Sequence, residues 1–182
     1  MSKITGAGDF LPVNIALLTV SDSRSLADDK SGDILQERVL AAGHRMVARL
    51  IVKDDQASIA AQLRTWIADS EIDTVIATGG TGLTGRDVTP EAFEEVYEKE
   101  IKGFGELFRM LSYETISTST MQSRATGGVA GGTYLFALPG SPGACRDGWD
   151  KILKFQLDSR QKPCNLVELM PRLQEHLQTG QS

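Results

Sequence analysis

Apolar positions along this chain alternate between two kinds of segment. Ile15–Val20 and Thr74–Thr78 are short β-favouring runs without a polar face, the pattern of strands buried on both sides of a parallel sheet. Arg45 to Val52 reads as a strand between them, and Thr133 to Leu138 as a fourth. The intervening segments switch to helical spacing. Leu35, Val39 and Ala42 share one stripe of a helix from about Lys30, with Gly43 as its stop. Ile59, Leu63, Trp66 and Ile67 form the buried face of a second helix. Thr89 as cap and Pro90 at the first helical position open a third. Phe104, Leu107, Phe108 and Leu111 continue helical spacing from Ile101. Further helical stretches are expected from Ser119 to Thr126 and from Ala144 to Lys154.

Strands separated by helices imply right-handed crossovers. The predicted fold is therefore a three-layer α/β/α sandwich with a mostly parallel central sheet, one domain over residues 1–182. Residues 1–12 are expected to be a loose N-terminus and 172–182 a frayed C-terminus. Ligands of such sheets gather beyond the carboxyl ends of the strands. Four loops then carry the chemistry: Ser21–Asp29, Lys53–Asp55, Gly79–Asp87 and Pro139–Gly143.

Composition narrows the function classes. With 41% hydrophobic and 24% charged residues, disorder, collagen and a disulfide scaffold are excluded. A formal charge of −5 removes the general electrostatic case for a nucleic-acid or anionic-membrane binder, although one cleft can still be positive. The most apolar stretch, Val13 to Val20, is far shorter than the roughly 20 residues of a membrane helix. The polar N-terminus lacks a signal-peptide pattern. Cys145 and Cys164 form no Cys-x-x-Cys pair, and His44 and His176 stand isolated; reduced core thiols are expected rather than a zinc or redox site. The expected location is cytoplasmic.

The densest chemical signal is Thr78-Gly-Gly-Thr-Gly-Leu-Thr-Gly-Arg-Asp87. Glycines at the carboxyl end of a strand let backbone N–H groups converge on phosphate or another anion. Gly80 to Gly85 formally fits G-x-G-x-x-G, but it follows the third strand, so it is no dinucleotide fingerprint. It is no Walker loop either, since Arg86-Asp87 replaces the Lys and the hydroxyl. A carboxylate at Asp87 suits Mg²⁺ beside nucleotide phosphates, with Arg86 or Lys53 offsetting anionic charge; the alternative is a turn Asp capping the next helix. Asp54 and Asp55 divide in the same way between metal ligand and helix cap. Ser21-Asp22 reads as a ligand contact or an Asx turn, and Leu138 to Pro142 as a cleft wall or a rigid connector. The donors of Ser117–Thr120 and Ser123 suit capping as well as binding.

Taken in order, Thr19-Val-Ser-Asp22, Thr78-Gly-Gly-Thr-Gly82, Arg86-Asp-Val-Thr-Pro-Glu-Ala92, Gly103-Phe-Gly-Glu106, Ser123-Arg124 and Leu138-Pro-Gly140 resemble the MoaB/MogA family of molybdenum cofactor biosynthesis proteins, related to the gephyrin G domain. The segment Arg160-Gln-Lys-Pro-Cys-Asn165 is similar to the shorter B-type members. The resemblance implies a molybdopterin-binding fold and, in active members, adenylyl transfer from Mg-ATP to molybdopterin. It implies Asp54 and Asp87 as the acids that position Mg²⁺ and phosphate. Ser21, Asp22, Gly79, Gly80, Thr81, Gly82, Thr89, Pro90, Ser123, Pro139, Gly140 and Ser141 would surround the substrates. Val52-Lys-Asp-Asp55 departs from the MogA pattern, which has a Pro before the acid and is one residue shorter. The other readings are a non-catalytic pterin carrier and an oligomeric scaffold of the same fold. Homotrimers or hexamers, and other proteins of the same biosynthesis as partners, are also implied; Phe104 and Phe108 mark a possible contact helix, although a core role competes.

Overall fold

In a computed structural model describing residues 9–178, six strands form one sheet: β1 (Asn14–Val20), β2 (Arg45–Val52), β3 (Thr74–Thr78), β4 (Lys99–Glu100), β5 (Thr126–Ala130) and β6 (Thr133–Leu138). Their order is β2-β1-β3-β6-β5-β4. β1, β2, β3 and β6 are parallel, so Val20, Val52, Thr78 and Leu138 end at one edge. The chain moves outward from β1 to β2 and then crosses back to β3, which makes the β1/β3 junction the switch point where a crevice opens.

The main helices packed around this sheet are α1 (Lys30–Ala41), α2 (Gln56–Ile67), α3 (Thr89–Glu94), α4 (Lys102–Ile116) and α5 (Pro142–Gly148). α5 runs on through a π-helical turn, Trp149–Leu153, into Lys154–Gln156. Period-two alternation divides the core. Ile15, Leu17, Ile76 and Phe136 face α1, α4 and the Trp149 segment, whereas Ala16, Leu18, Val75 and Leu135 face α2 and α3. The layers are those read from the sequence, and the sheet is mixed at one edge.

That edge corrects the sequence reading. The segment expected to be helical from Ser119 to Thr126 is a 3₁₀ turn, Ser117–Gln122, followed by β5, which runs antiparallel to β6. Gly127 and Gly128 conceal the strand because it needs them: a Cβ on Gly127 would lie 2.8 Å from the Phe136 ring, and one on Gly128 would enter the Tyr97 ring. Thr89 does not cap α3. Val88 is the N-cap without a side-chain bond, and the Thr89 hydroxyl donates to the Gly79 carbonyl at 2.8 Å. Cys145 is buried as expected, but Cys164 is exposed. In α4, Phe104 and Phe108 are core, while Leu107 is exposed and Leu111 half-buried, so the apolar stripe is narrower than its periodicity implied.

Residues 1–8 and 179–182, within the expected loose termini, lie outside the described residues. Phe10 packs its ring on His44, with centroids 5.0 Å apart, and the Leu11 N–H donates to Ser159 Oγ at 2.9 Å. His44 Nδ1 in turn accepts from the Val13 N–H at 3.1 Å, which fixes the entry into β1. Among the described residues no helix is long and apolar enough to cross a membrane.

Candidate functional site at the carboxyl edge of the sheet

At the switch point the β3 loop leaves the sheet through two residues in left-handed backbone conformations, Gly79 (φ +104°) and Gly80 (φ +64°). A Cβ on Gly79 would stand inside 3.0 Å of the Val20 carbonyl oxygen, so only glycine lets β1 and β3 end this close together. The Gly79 N–H is bonded to the Leu138 carbonyl at 3.1 Å, and the Gly80 carbonyl accepts from the Thr89 N–H at 3.0 Å. These bonds fix the loop between β6 and α3.

Asp87 closes the loop on itself. Its carboxylate accepts from the Thr84 N–H at 2.8 Å and the Thr84 hydroxyl at 2.6 Å, and the Gly82 N–H also reaches it. The Thr84 hydroxyl bond, against a smaller opposing effect of burial, holds this carboxyl below the usual range; the amides and Arg124 add to that. Two of the amides expected to be bare, at Gly79 and Gly82, therefore already have protein acceptors.

Asp54 reaches the same loop from β2. Asp55, beside it, is the true N-cap of α2, accepting from the Ser58 N–H at 2.8 Å. That bond leaves Asp54 as the acid that points inward, 3.1 Å from where a Cβ of Gly80 would be. Burial, and then the charge of Asp87, raise the Asp54 carboxyl above its usual value. Asp22 links β1 to both loops: its carboxylate accepts from the Asp54 N–H at 3.2 Å and pairs with Arg86. Ser21 Oγ accepts from the N–H groups of Ser23 and Arg24, an ordinary turn.

A cavity of 730 Å³ opens in front of these loops. Gly80, Thr81, Gly82 and Asp87 form one wall, Ser123 with α4 residues Phe108 and Ser112 a second, and Pro139, Gly140 and Ser141 with the start of α5 a third. Ser141 caps α5, accepting from the Ala144 N–H at 3.2 Å. Of the residues singled out by sequence, these eight share the cavity: Gly80, Thr81, Gly82, Asp87, Ser123, Pro139, Gly140 and Ser141. Asp54 and Asp22 stand behind the glycine loop. Ser21, Gly79 and Thr89 support it from below, and Pro90 opens instead onto a neighbouring 460 Å³ cavity.

Two supporting groups escaped the sequence reading. Arg124 donates to the carbonyls of Gly82 and Asp87 at 2.7 Å each and pairs with Glu91, while its N–H reaches the Thr81 carbonyl at 3.1 Å. It fastens the glycine loop to β5; the Ser123-Arg124 pair was the available signal. Asp29 is fully buried and takes bonds from the Thr19 hydroxyl (2.6 Å), the Gly32 N–H (3.0 Å) and Arg49 (3.0 Å). Burial pushes its carboxyl up, but those bonds together hold it below the usual value. Nothing in the local sequence distinguishes it from Asp28.

Among the described residues no group of three His, Cys, Asp or Glu side chains forms a metal cage. Two neighbouring carboxylates are what Mg²⁺ takes when substrate phosphates and water supply its remaining ligands. The raised Asp54 carboxyl beside the ionised Asp87 is the electrostatic mark of a place that favours a cation. These residues fit that group.

Comparison with known proteins agrees with the architecture. A family profile described as "Probable molybdopterin binding domain" matches residues 16–159. Molybdenum cofactor biosynthesis protein B of Escherichia coli K12 is 50% identical over 157 residues, covering 86% of this chain and 92% of that protein. A crystal structure of a molybdenum cofactor biosynthesis protein B superposes with a TM-score of 0.82 at 40% identity, over 91% of this chain and 98% of the other. A tungsten cofactor synthesizing protein MoaB from Pyrococcus furiosus follows with a TM-score of 0.70 at 32% identity, over 91% and 96%. With the profile spanning most of the chain and its fold and carboxyl-edge loops laid out as above, the protein belongs to the MoaB/MogA family of molybdenum cofactor biosynthesis proteins.

Proposed function

We propose that this protein acts in molybdenum cofactor biosynthesis by binding molybdopterin and adenylylating it with Mg-ATP. The observation that carries the reading is the convergence of Asp54 and Asp87, from different crossover units, on one glycine loop that walls a cavity, Asp87 lining the cavity and Asp54 close behind the loop. In the reaction the terminal phosphate oxygen of molybdopterin bonds to the α-phosphorus of ATP. The bond from that phosphorus to the bridging oxygen breaks, and pyrophosphate leaves with the electron pair. When bound, Mg²⁺ would neutralise phosphate charge as the bridging bond breaks. Asp54 and Asp87 would hold it, and the amides of Gly80 and Thr81 would face phosphate oxygens. Asp22 and Arg124 act by position, the first on the Asp54 backbone and the second on the Gly82 and Asp87 carbonyls. Neither acid is needed for proton transfer, because a phosphate monoester is already a nucleophile near neutral pH.

Pyrophosphate release from molybdopterin and Mg-ATP tests the reading, with Asp54→Asn expected to lose it while keeping the far-UV spectrum. Wild-type protein that binds both substrates without releasing pyrophosphate would refute adenylylation. A second reading, a non-catalytic pterin carrier, draws support from one observation: the Asp87 carboxylate already serves as the clamp of its own loop. It predicts pterin binding without turnover. Assembly as trimers or hexamers belongs to the same proposal. Leu107, Met110, Tyr113, Ile116 and Met121 leave an apolar face exposed around α4, and light scattering over a concentration series would find a monomer throughout if this is wrong.

A further inference from the structure

Five arginines stand around the carboxyl edge of the sheet, and four of them are committed to protein oxygens. Arg24 donates to the Gly140 carbonyl, Arg86 pairs with Asp22, Arg109 donates to the Ser123 and Ala125 carbonyls, and Arg124 fastens the glycine loop. Arg146 differs. It lines the 730 Å³ cavity from the first turns of α5, its residue is exposed, and among the described residues its guanidinium has neither an ion pair nor a hydrogen bond. The cavity surface is largely apolar and includes Phe108 and Ile116, so an anion there meets less competing water than at an open surface. The Asp87 carboxylate lines the same cavity, so a phosphate held by Arg146 shares that space with the acid proposed to hold Mg²⁺.

We infer that Arg146 is a binding residue that selects ligands by a phosphate monoester, its planar fork taking two phosphate oxygens while the pterin-sized remainder lies against the apolar wall. This rests on the reading of the cavity as the molybdopterin site and adds to it the residue that recognises the anionic end. Asp147, next in sequence and also on the cavity wall, pairs with Lys151 at 3.3 Å, which leaves Arg146 as the cation available to the ligand.

The test compares wild type, Arg146→Gln and Arg146→Lys, since both replacements keep good helix propensity at an exposed position. Molybdopterin binding, followed by pterin fluorescence, should weaken by about tenfold to a hundredfold in Arg146→Gln, the range for losing one charge-assisted bond pair, and by less in Arg146→Lys. The salt dependence of wild-type binding should also flatten in Arg146→Gln. A parallel arm measures thermal stabilisation by inorganic pyrophosphate, which should be greater for wild type than for Arg146→Gln. Equal affinity for molybdopterin in wild type and Arg146→Gln would overturn the inference. Wild type that ignores molybdopterin, yet loses pyrophosphate stabilisation on Arg146→Gln, would overturn the molybdopterin reading while the anion site stands. Loss of neither response on Arg146→Gln would overturn the site itself.

Discussion

Gly79 holds the crevice open, and replacing it with alanine measures how far the fold depends on that one residue. Two costs apply. The backbone at φ +104° is strained for any residue with a Cβ, by about 1–2 kcal/mol. The added methyl would also fall inside 3.0 Å of the Val20 carbonyl oxygen, an atom at the end of the interior strand β1 that cannot retreat without disturbing the pairing of Val20 with Val52 of β2. Overpacking of that kind costs roughly 1–3 kcal/mol. Together Gly79→Ala should lose about 2–5 kcal/mol, a large part of the 5–15 kcal/mol typical of a domain. For a chain of this length each kcal/mol moves Tm by about 2–4 °C, so a fall of roughly 4–20 °C is expected. Gly85, in the same loop, is the control: its Cβ would meet nothing within 4 Å, and Gly85→Ala should melt with wild type. Thermal unfolding by circular dichroism at one protein concentration decides the matter. If Gly79→Ala melts within about 1 °C of wild type, the close-approach argument is wrong.

Other consequences follow from the same contacts. Asp54 has a raised carboxyl pKa, so its ionised form opposes folding at neutral pH; Asp54→Asn should raise Tm slightly while abolishing pyrophosphate release, and a lower Tm would contradict the electrostatics. His44 is depressed, by burial first, so the unfolded chain takes up its proton before the folded one. Stability should therefore be level above pH 6.5 and decline as pH falls below it, a decline that His44→Asn should reduce in urea titrations at several pH values. Removing the buried Asp29 carboxylate in Asp29→Ala leaves the Thr19 hydroxyl and the Gly32 N–H without their acceptor and Arg49 with only Asp33 as ionic partner, and should cost about 3–5 kcal/mol by chemical denaturation. Arg124→Ala should loosen the glycine loop, seen as faster amide exchange at Gly82 and Thr84 with the β1–β3 core amides unchanged.

In the parallel half of the sheet β1, β3 and β6 were legible because each is a largely apolar run buried on both faces, whereas β2, with Arg45 and Arg49, is an edge strand only partly buried; the helices were legible because their stripes keep a 3.6 period. The antiparallel edge was not. β4 has two charged residues, Lys99 and Glu100, and β5 replaces side chains with Gly127-Gly128 so that the aromatic rings of Phe136 and Tyr97 can lie against the backbone. Thr89 illustrates a second limit: a helix-cap residue by local rules, it is diverted by a tertiary acceptor, the Gly79 carbonyl. The loops carrying the site were identifiable from the strand ends alone. The division of labour between Asp54 and Asp55 was not, because both precede a helix and only the bond from Ser58 to Asp55 separates them. The roles of Arg124 and Arg146 depend on which oxygens surround a guanidinium, and a single sequence does not encode that locally.

The claim on which the proposed chemistry rests is that Asp54 and Asp87 share a cation in the presence of nucleotide. Titration of Mn²⁺ in the presence of a non-hydrolysable ATP analogue, followed by electron paramagnetic resonance, tests it most directly. One nucleotide-dependent Mn²⁺ per site is expected in wild type, weakened at least tenfold in Asp54→Asn and in Asp87→Asn. Unchanged Mn²⁺ affinity in both variants would contradict the account.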